Sequence, residues 1–292
     1  MQISVRLSNL IVIPFLLYSV QAAAADITVA ATIRPLQLIA QAILQGHGTV
    51  EALIGAQDSP HHYALTPGDR LAIEDADLLL WIGPEFEILL SDVYKQKEGD
   101  KPVLEVAEIP GLTIHRLNGG QKDPHLWLSI DNAILIGREL ASRLSDIEPT
   151  YRDSFQSAFD DFELDVWKLE SLIEEWLAPF KDKPFLVYHD AFQYFEKQFG
   201  LSAGDSLLQD PEIQPSMREL LTIRRRAENL SVSCLLMEQD ADMDLVSTIF
   251  KNQEPSQEFV DLLGFEIQDG STAYVDLVIS VASSFRKCLK EG

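Results

Sequence analysis

Between Pro149 and Pro179 the chain runs about 30 residues without a glycine or an internal proline, and this stretch constrains the fold more than any other. Apolar residues recur at Tyr151, Phe155, Phe159, Phe162, Val166, Leu169, Ile173 and Trp176. That three-to-four spacing is one helical stripe. At about 1.5 Å per residue such a helix is roughly 45 Å long, far longer than a typical domain helix. A long helix with one apolar stripe, placed midway, reads as a rigid connector. Residues 149–179 are therefore expected to join an N-terminal lobe, 26–148, to a C-terminal lobe, 180–292.

Within each half, strand-like and helix-like segments alternate. DITVAAT (26–32) is followed by the helix-like RPLQLIAQAIL (34–44), then TVEALI (49–54) and PGDRLAIEDA (67–76). DLLLWIG (77–83) is a continuous apolar run ending in glycine, as expected of a strand buried on both faces. EFEILLSDVYK, PVLEVA and LTIHRL come next. Past Pro179, KPFLVYHD is strand-like and AFQYFEKQFG is a helix ending at Gly200, a good left-handed cap. PSMRELLTIRRRAENL (215–230), SVSCLLMEQ, DMDLVSTIF, EFVDLLG (258–264) and STAYVDLVISVASSFRKCLK (271–290) continue the rhythm. The fold class is α/β: two lobes with parallel sheets.

Residues 1–25 read as a cleaved secretory signal peptide. Arg6 precedes the apolar run Leu10–Val20, and Ala23-Ala24-Ala25 offers a cleavage site before Asp26. The run is short for a bilayer span and contains Pro14. An exported protein is the expectation. The chain carries 46 acidic and 23 basic residues, a formal net charge of −23. The leader holds one arginine and no acid, so the mature chain is more acidic still. Such a surface disfavours nucleic acid. Two cysteines, Cys234 and Cys288, are more often a disulfide than two thiols in an exported chain, the alternative being two small buried hydrophobes.

Three of the six histidines occupy similar loops: SPHHY (59–63), DPHLW (123–127) and VYHDA (187–191). Each lies beside a strand end or helix start, where ligands bind in open α/β sheets. Asp261, at the end of EFVDLLG, has an equivalent setting. Three neutral imidazoles and a carboxylate, meeting in a cleft between the lobes, make a four-ligand set suited to zinc. His47 and His115 lack that setting and read as surface residues. Three histidines and an open water position also suit a zinc hydrolase, with Asp190 or Glu238 as base. No H-E-x-x-H or other compact hydrolase motif is present, so no enzymatic activity is expected.

SPHHYALTPGD, DPHLWLSIDNA, FLVYHDAFQYFEKQFGL, EIQPSMREL and AYVDL together resemble the metal-binding periplasmic subunits of zinc and manganese ABC transporters, most closely the zinc-specific members. The similarity spans essentially the whole mature chain. It implies two α/β lobes joined by one long helix and a monomer that hands Zn²⁺ to a membrane permease. It places the metal ligands on His61, His125, His189 and Asp261, and a disulfide on Cys234 and Cys288. His62 and Asp190 then become candidates for orienting the ligands from behind. In some similar proteins a glutamate precedes the first histidine, where this chain has Pro60. Leu262 replaces the proline usual after the aspartate, leaving Glu238 or a water as alternative fourth ligands. The long histidine-rich loop of many zinc-type members is reduced here to RLNGGQK (116–122). Imidazole at position 189, where manganese-type relatives often have glutamate, favours zinc, with manganese the alternative. Adhesion, a role sometimes attributed to similar proteins, is a lesser expectation because no lipid-anchor cysteine lies near the cleavage point.

Overall fold

The computed structural model describes residues 26–291, apart from 56–57, 61–62, 98, 118, 203, 212, 231, 233 and 252–254. In the first lobe β1 (Ile27–Ala31), β2 (Gly48–Ala52), β3 (Leu78–Trp81) and β4 (Val103–Glu105) form a sheet in the order β2-β1-β3-β4. The second lobe repeats the pattern. Here β5 (Leu186–His189), β6 (Asp205–Leu208), β7 (Cys234–Met237) and β8 (Ser256–Phe259) lie in the order β6-β5-β7-β8. Every pairing is parallel. The inner strands β3, β5 and β7 are buried along their whole length, which their unbroken apolar sequences require. The edge strands β2 and β8 alternate between half-buried and exposed positions.

The connecting helix, α5 in chain order, runs Arg152–Leu177, with 3₁₀ turns at Pro149–Tyr151 and Ala178–Phe180. At 1.5 Å per residue it is about 39 Å long. Phe155, Phe159, Phe162, Val166, Leu169 and Ile173 are buried as the stripe predicts, joined by Ala158 and Leu177. Each large apolar side chain so buried stabilises the fold by roughly 1.5–3 kcal/mol before entropy is counted. The stripe packs on α1 (Arg34–Leu44) and α4 (Ile130–Ile147) of the first lobe and on α9 (Ala273–Glu291) of the second. One apolar cluster therefore runs through both halves. Gly137 of α4 lets α5 approach: a Cβ there would lie 3.0 Å from Phe162 Cε1.

Cys234 opens β7 and Cys288 lies on the inner face of α9, and the two form a disulfide with their Cα atoms 5.4 Å apart. A bridge over a separation of 54 residues contributes about 4 kcal/mol in the chain-entropy model.

Three segments depart from the sequence pattern, one of them β6, a strand not read in the sequence between Gly200 and Pro215. The strand in EFVDLLG begins and ends earlier, at Ser256–Phe259, and leaves Asp261 in the following loop. Asp261 ends the strand by accepting the Gly264 and Glu266 amides, both at 2.7 Å. LTIHRL adds no strand. Asn132 of α4 takes both backbone groups of Thr113, at 2.9 Å each, and only the isolated bridge Arg116–Lys122 is sheet-like.

Candidate metal centre

In the second lobe the chain passes from β5 to β6 on one side and then crosses back to β7 on the other. Ligands of open α/β sheets bind outside the strand ends at such a reversal. His189 is the last residue of β5, and Glu238 directly follows β7. Strand pairing brings them together, with Nδ1 of His189 2.8 Å from Oε1 of Glu238. His189 is 3% exposed. Burial acts to lower its pKa, but the carboxylates around it, Glu238 first and then Asp123 and Asp190, together outweigh this and the net shift is upward.

His125 enters from the first lobe. Asp123, 1% exposed, accepts the His125 backbone N–H at 3.0 Å and faces its ring Nδ1 at 2.7 Å through one carboxylate oxygen. Asp-Pro-His thus makes a tight local turn in which the aspartate fixes both backbone and ring. A 3₁₀ turn, Leu126–Leu128, follows, and Ser129 caps α4 by accepting the Asn132 amide. Two further ties steady this segment. Tyr194, on α6 (Gln193–Phe199) of the second lobe, donates to the Asp123 carbonyl at 2.8 Å and accepts the His115 amide at 3.1 Å. Trp127 Nε1 donates to the Leu262 carbonyl at 3.0 Å.

The outcome is a matched pair. Each imidazole has a carboxylate behind its Nδ1, and the two Nε2 atoms face each other across the lobes at 3.3 Å. Two zinc–nitrogen bonds of about 2.05 Å at a tetrahedral angle put their nitrogens about 3.3 Å apart. Carboxylates behind ligating imidazoles fix the tautomer and raise the basicity of the outward nitrogen. The same distance also suits a proton shared between the two rings.

The pair opens onto a cleft of about 980 Å³ lined from both lobes, by Asp58, Tyr63 and Trp127 on one side and Glu238 and Asp261 on the other. His61 and His62 lie outside the described residues; their neighbours Pro60 and Tyr63 line the cleft. Among the described residues no three His, Cys, Asp or Glu side chains come together closely enough to hold a metal. Asp261 faces the cleft with each carboxylate oxygen holding one backbone amide. Asp190 is half-buried beside both histidines. Its pKa is raised by burial first and by Asp123 next, with His125 and His189 pulling it down. The partners of the two Nδ1 atoms, however, are Asp123 and Glu238. Glu238 therefore stands behind His189 rather than on the Nε2 side where a metal would sit.

The two remaining histidines are half-buried rather than on the surface. His47 stacks on Tyr151 at 4.0 Å, and His115 lies against Tyr194 at 4.7 Å. Tyr63 and Trp127 wall the cleft, and Trp81 lies in the core of the first lobe, stacked on Tyr94. Sequence reasoning missed the role of Asp123, although an acid two residues before a buried histidine is the local signal for it.

A family model described as "Zinc-uptake complex component A periplasmic" matches residues 29–288. The high-affinity zinc uptake system protein ZnuA of Brucella suis biovar 1 is 26% identical over 306 aligned positions, covering 90% of this chain and 92% of its own. The protein of the same name from Yersinia pestis is 28% identical over 294 positions, covering 91% and 92%. Among solved structures, the periplasmic zinc binding protein TroA from Treponema pallidum superposes with a TM-score of 0.81 at 19% identity, over 91% of this chain and 99% of that one. That likeness shows the shared two-lobed fold.

Proposed function

Because this chain belongs to the periplasmic zinc-uptake complex component A family, we propose that it captures Zn²⁺ in the inter-lobe cleft and delivers it to an ABC transporter permease. The observation that carries this reading is the His125–His189 pair, with its Nε2 atoms 3.3 Å apart and a carboxylate behind each ring. His61 is the third imidazole of this reading, since its neighbours Pro60 and Tyr63 line the same cleft, and Asp261, which lines the cleft without reaching the histidine pair here, is the carboxylate that would join them around the ion. Each Asp261 oxygen keeps a lone pair after accepting one amide. The amides then orient the carboxylate as Asp123 and Glu238 orient the imidazoles. Asp190, half-buried beside the pair, shapes the surroundings without touching the ion.

The ion is cargo, so no bond of a substrate is made or broken. The ligand set belongs to one chain, which supports a monomer, and the acidic balance of 46 acidic to 23 basic residues disfavours nucleic acid. The leader over residues 1–25 accounts for periplasmic delivery.

Isothermal titration of metal-free protein with Zn²⁺ tests the reading. One ion per chain is expected, with binding lost in a His61→Ala/His125→Ala/His189→Ala variant. Unchanged affinity in that variant would sink the proposal. Tighter binding of Mn²⁺ than of Zn²⁺ would turn it toward manganese.

A further inference from the structure

Residues 261–269 follow β8 and belong by sequence to the second lobe, yet they are fastened to the first. We propose that Arg34 is a positioning residue of the metal site: it ties this loop, and with it Asp261, to the lobe that carries His125. The effect on affinity rests on the zinc reading above; the tie itself does not.

Arg34 is the first residue of α1, just past the carboxyl end of β1. Its guanidinium donates from Nε to the Gly264 carbonyl at 2.9 Å and from Nη2 to the Ile267 carbonyl at 2.6 Å. Nη2 also pairs with Asp269 at 2.9 Å, and Nη1 donates to Gln37 at 2.9 Å. The Asp269 side chain is 63% exposed, so that ion pair is screened and adds little. The geometry is set instead by the rigid fork on two carbonyls, which a lysine cannot reproduce.

Gly264 links this fork to the site. Its carbonyl accepts from Arg34, and its amide donates to Asp261 Oδ1 at 2.7 Å. The Glu266 amide holds the other oxygen. Gly264 has φ +77°, and a Cβ on it would sit 3.0 Å from Leu38 Cδ1 and 3.4 Å from Leu277 Cδ1, so the loop is packed between α1 and α9 with α1 the nearer. Trp127 holds the near end of the loop through the Leu262 carbonyl. The loop keeps a tie to its own lobe through the Gln239 and Glu266 side chains, but the bonds on its backbone carbonyls from Arg34 and Trp127 reference Asp261 to the first lobe. When the lobes part, His189 withdraws from a carboxylate that stays with His125.

The test uses full-length protein with Arg34→Ala, Arg34→Lys, Asp261→Ala and the Arg34→Ala/Asp261→Ala double variant. Hydrogen exchange is measured on the metal-free proteins, and Zn²⁺ affinity by titration. Both Arg34 variants are expected to exchange faster over 261–269 than the parent, with the remainder of the chain unchanged. Their zinc affinity should fall about 10- to 100-fold, the usual cost of losing a group that orients a ligand. The Arg34→Ala loss should vanish when Asp261 is already alanine. Parental exchange and affinity in Arg34→Ala would overturn the proposal, as would an equal loss in both backgrounds. Should Arg34→Ala unfold, Arg34→Lys decides, since it keeps a cation for Asp269 and removes only the fork. Failure of the parent to bind zinc would remove the functional reading, while the exchange data would still decide the tie.

Discussion

At the scale of single residues, Asp123 and Glu238 decide what His125 and His189 present to the cleft. An ionised carboxylate at Nδ1 keeps the ring hydrogen there and leaves Nε2 as the donor atom. An amide in its place can offer its own N–H and reverse the tautomer. Asp123→Asn and Glu238→Gln are each expected to weaken Zn²⁺ binding about 10- to 100-fold, while Asp190→Asn changes it only about two- to threefold, as titration would show. A larger loss at Asp190 than at Glu238 would invert this assignment. The meeting of His125 and His189 was legible in the sequence because the Pro-His and Tyr-His-Asp turns beside apolar runs carry local signals. The Glu238 partnership was not. It depends on β5 and β7 lying side by side although His189 and Glu238 are 49 residues apart. The amides on Asp261 were hidden for a related reason: they come from a loop that turns back on itself rather than from the strand the residue was assigned to.

At the scale of elements, the crossing of α4 and α5 shows which of two effects prevails. Gly137→Ala gains about 1 kcal/mol of helix propensity. It also sets a methyl group 3.0 Å from Phe162, and overpacking of this kind costs roughly 1–3 kcal/mol. Phe162 is buried and lies against Tyr274 with ring centroids 5.6 Å apart, so it has little room to yield. Net destabilisation of about 1 kcal/mol is expected in urea unfolding. In a Phe162→Leu background, where the ring edge is gone, the same substitution should become neutral or stabilising. The helix was legible from its stripe, and so were most of the strands from their apolar runs. The bonds that join the halves were not. Nothing in the sequence near Trp127 or Tyr194 announces that the first binds the Leu262 carbonyl and the second the Asp123 carbonyl.

At the scale of the whole molecule, each lobe buries a carboxyl with a raised pKa. Burial raises Glu87 to about 7 and Glu196 to about 8. In the unfolded chain both titrate near 4.3. The folded state therefore holds more protons between these values, so stability is intact below about pH 4.3 and declines as pH rises through 7 and 8. The slope is on the order of 1.4 kcal/mol per pH unit for each group. His189, also raised, contributes in the same direction, since its protonated form is favoured by folding. Urea unfolding of the metal-free protein is expected to show lower stability at pH 8 than at pH 5. Glu196→Gln should flatten that dependence; an unaltered slope in this variant would exclude Glu196 as a source.

The like strand orders of the two sheets give Glu87 a further meaning. In the first lobe the reversal lies between the ends of β1 and β3, the counterpart of the place where His189 meets Glu238. Glu87 occupies it, with Oε2 accepting the Gly83 amide at 2.9 Å and Thr32, the residue after β1, facing its carboxyl. One crevice is thus stoppered by the chain's own side chain and its twin is left for a visitor. The molecule has two equivalent doorways by topology and keeps one of them shut from the inside.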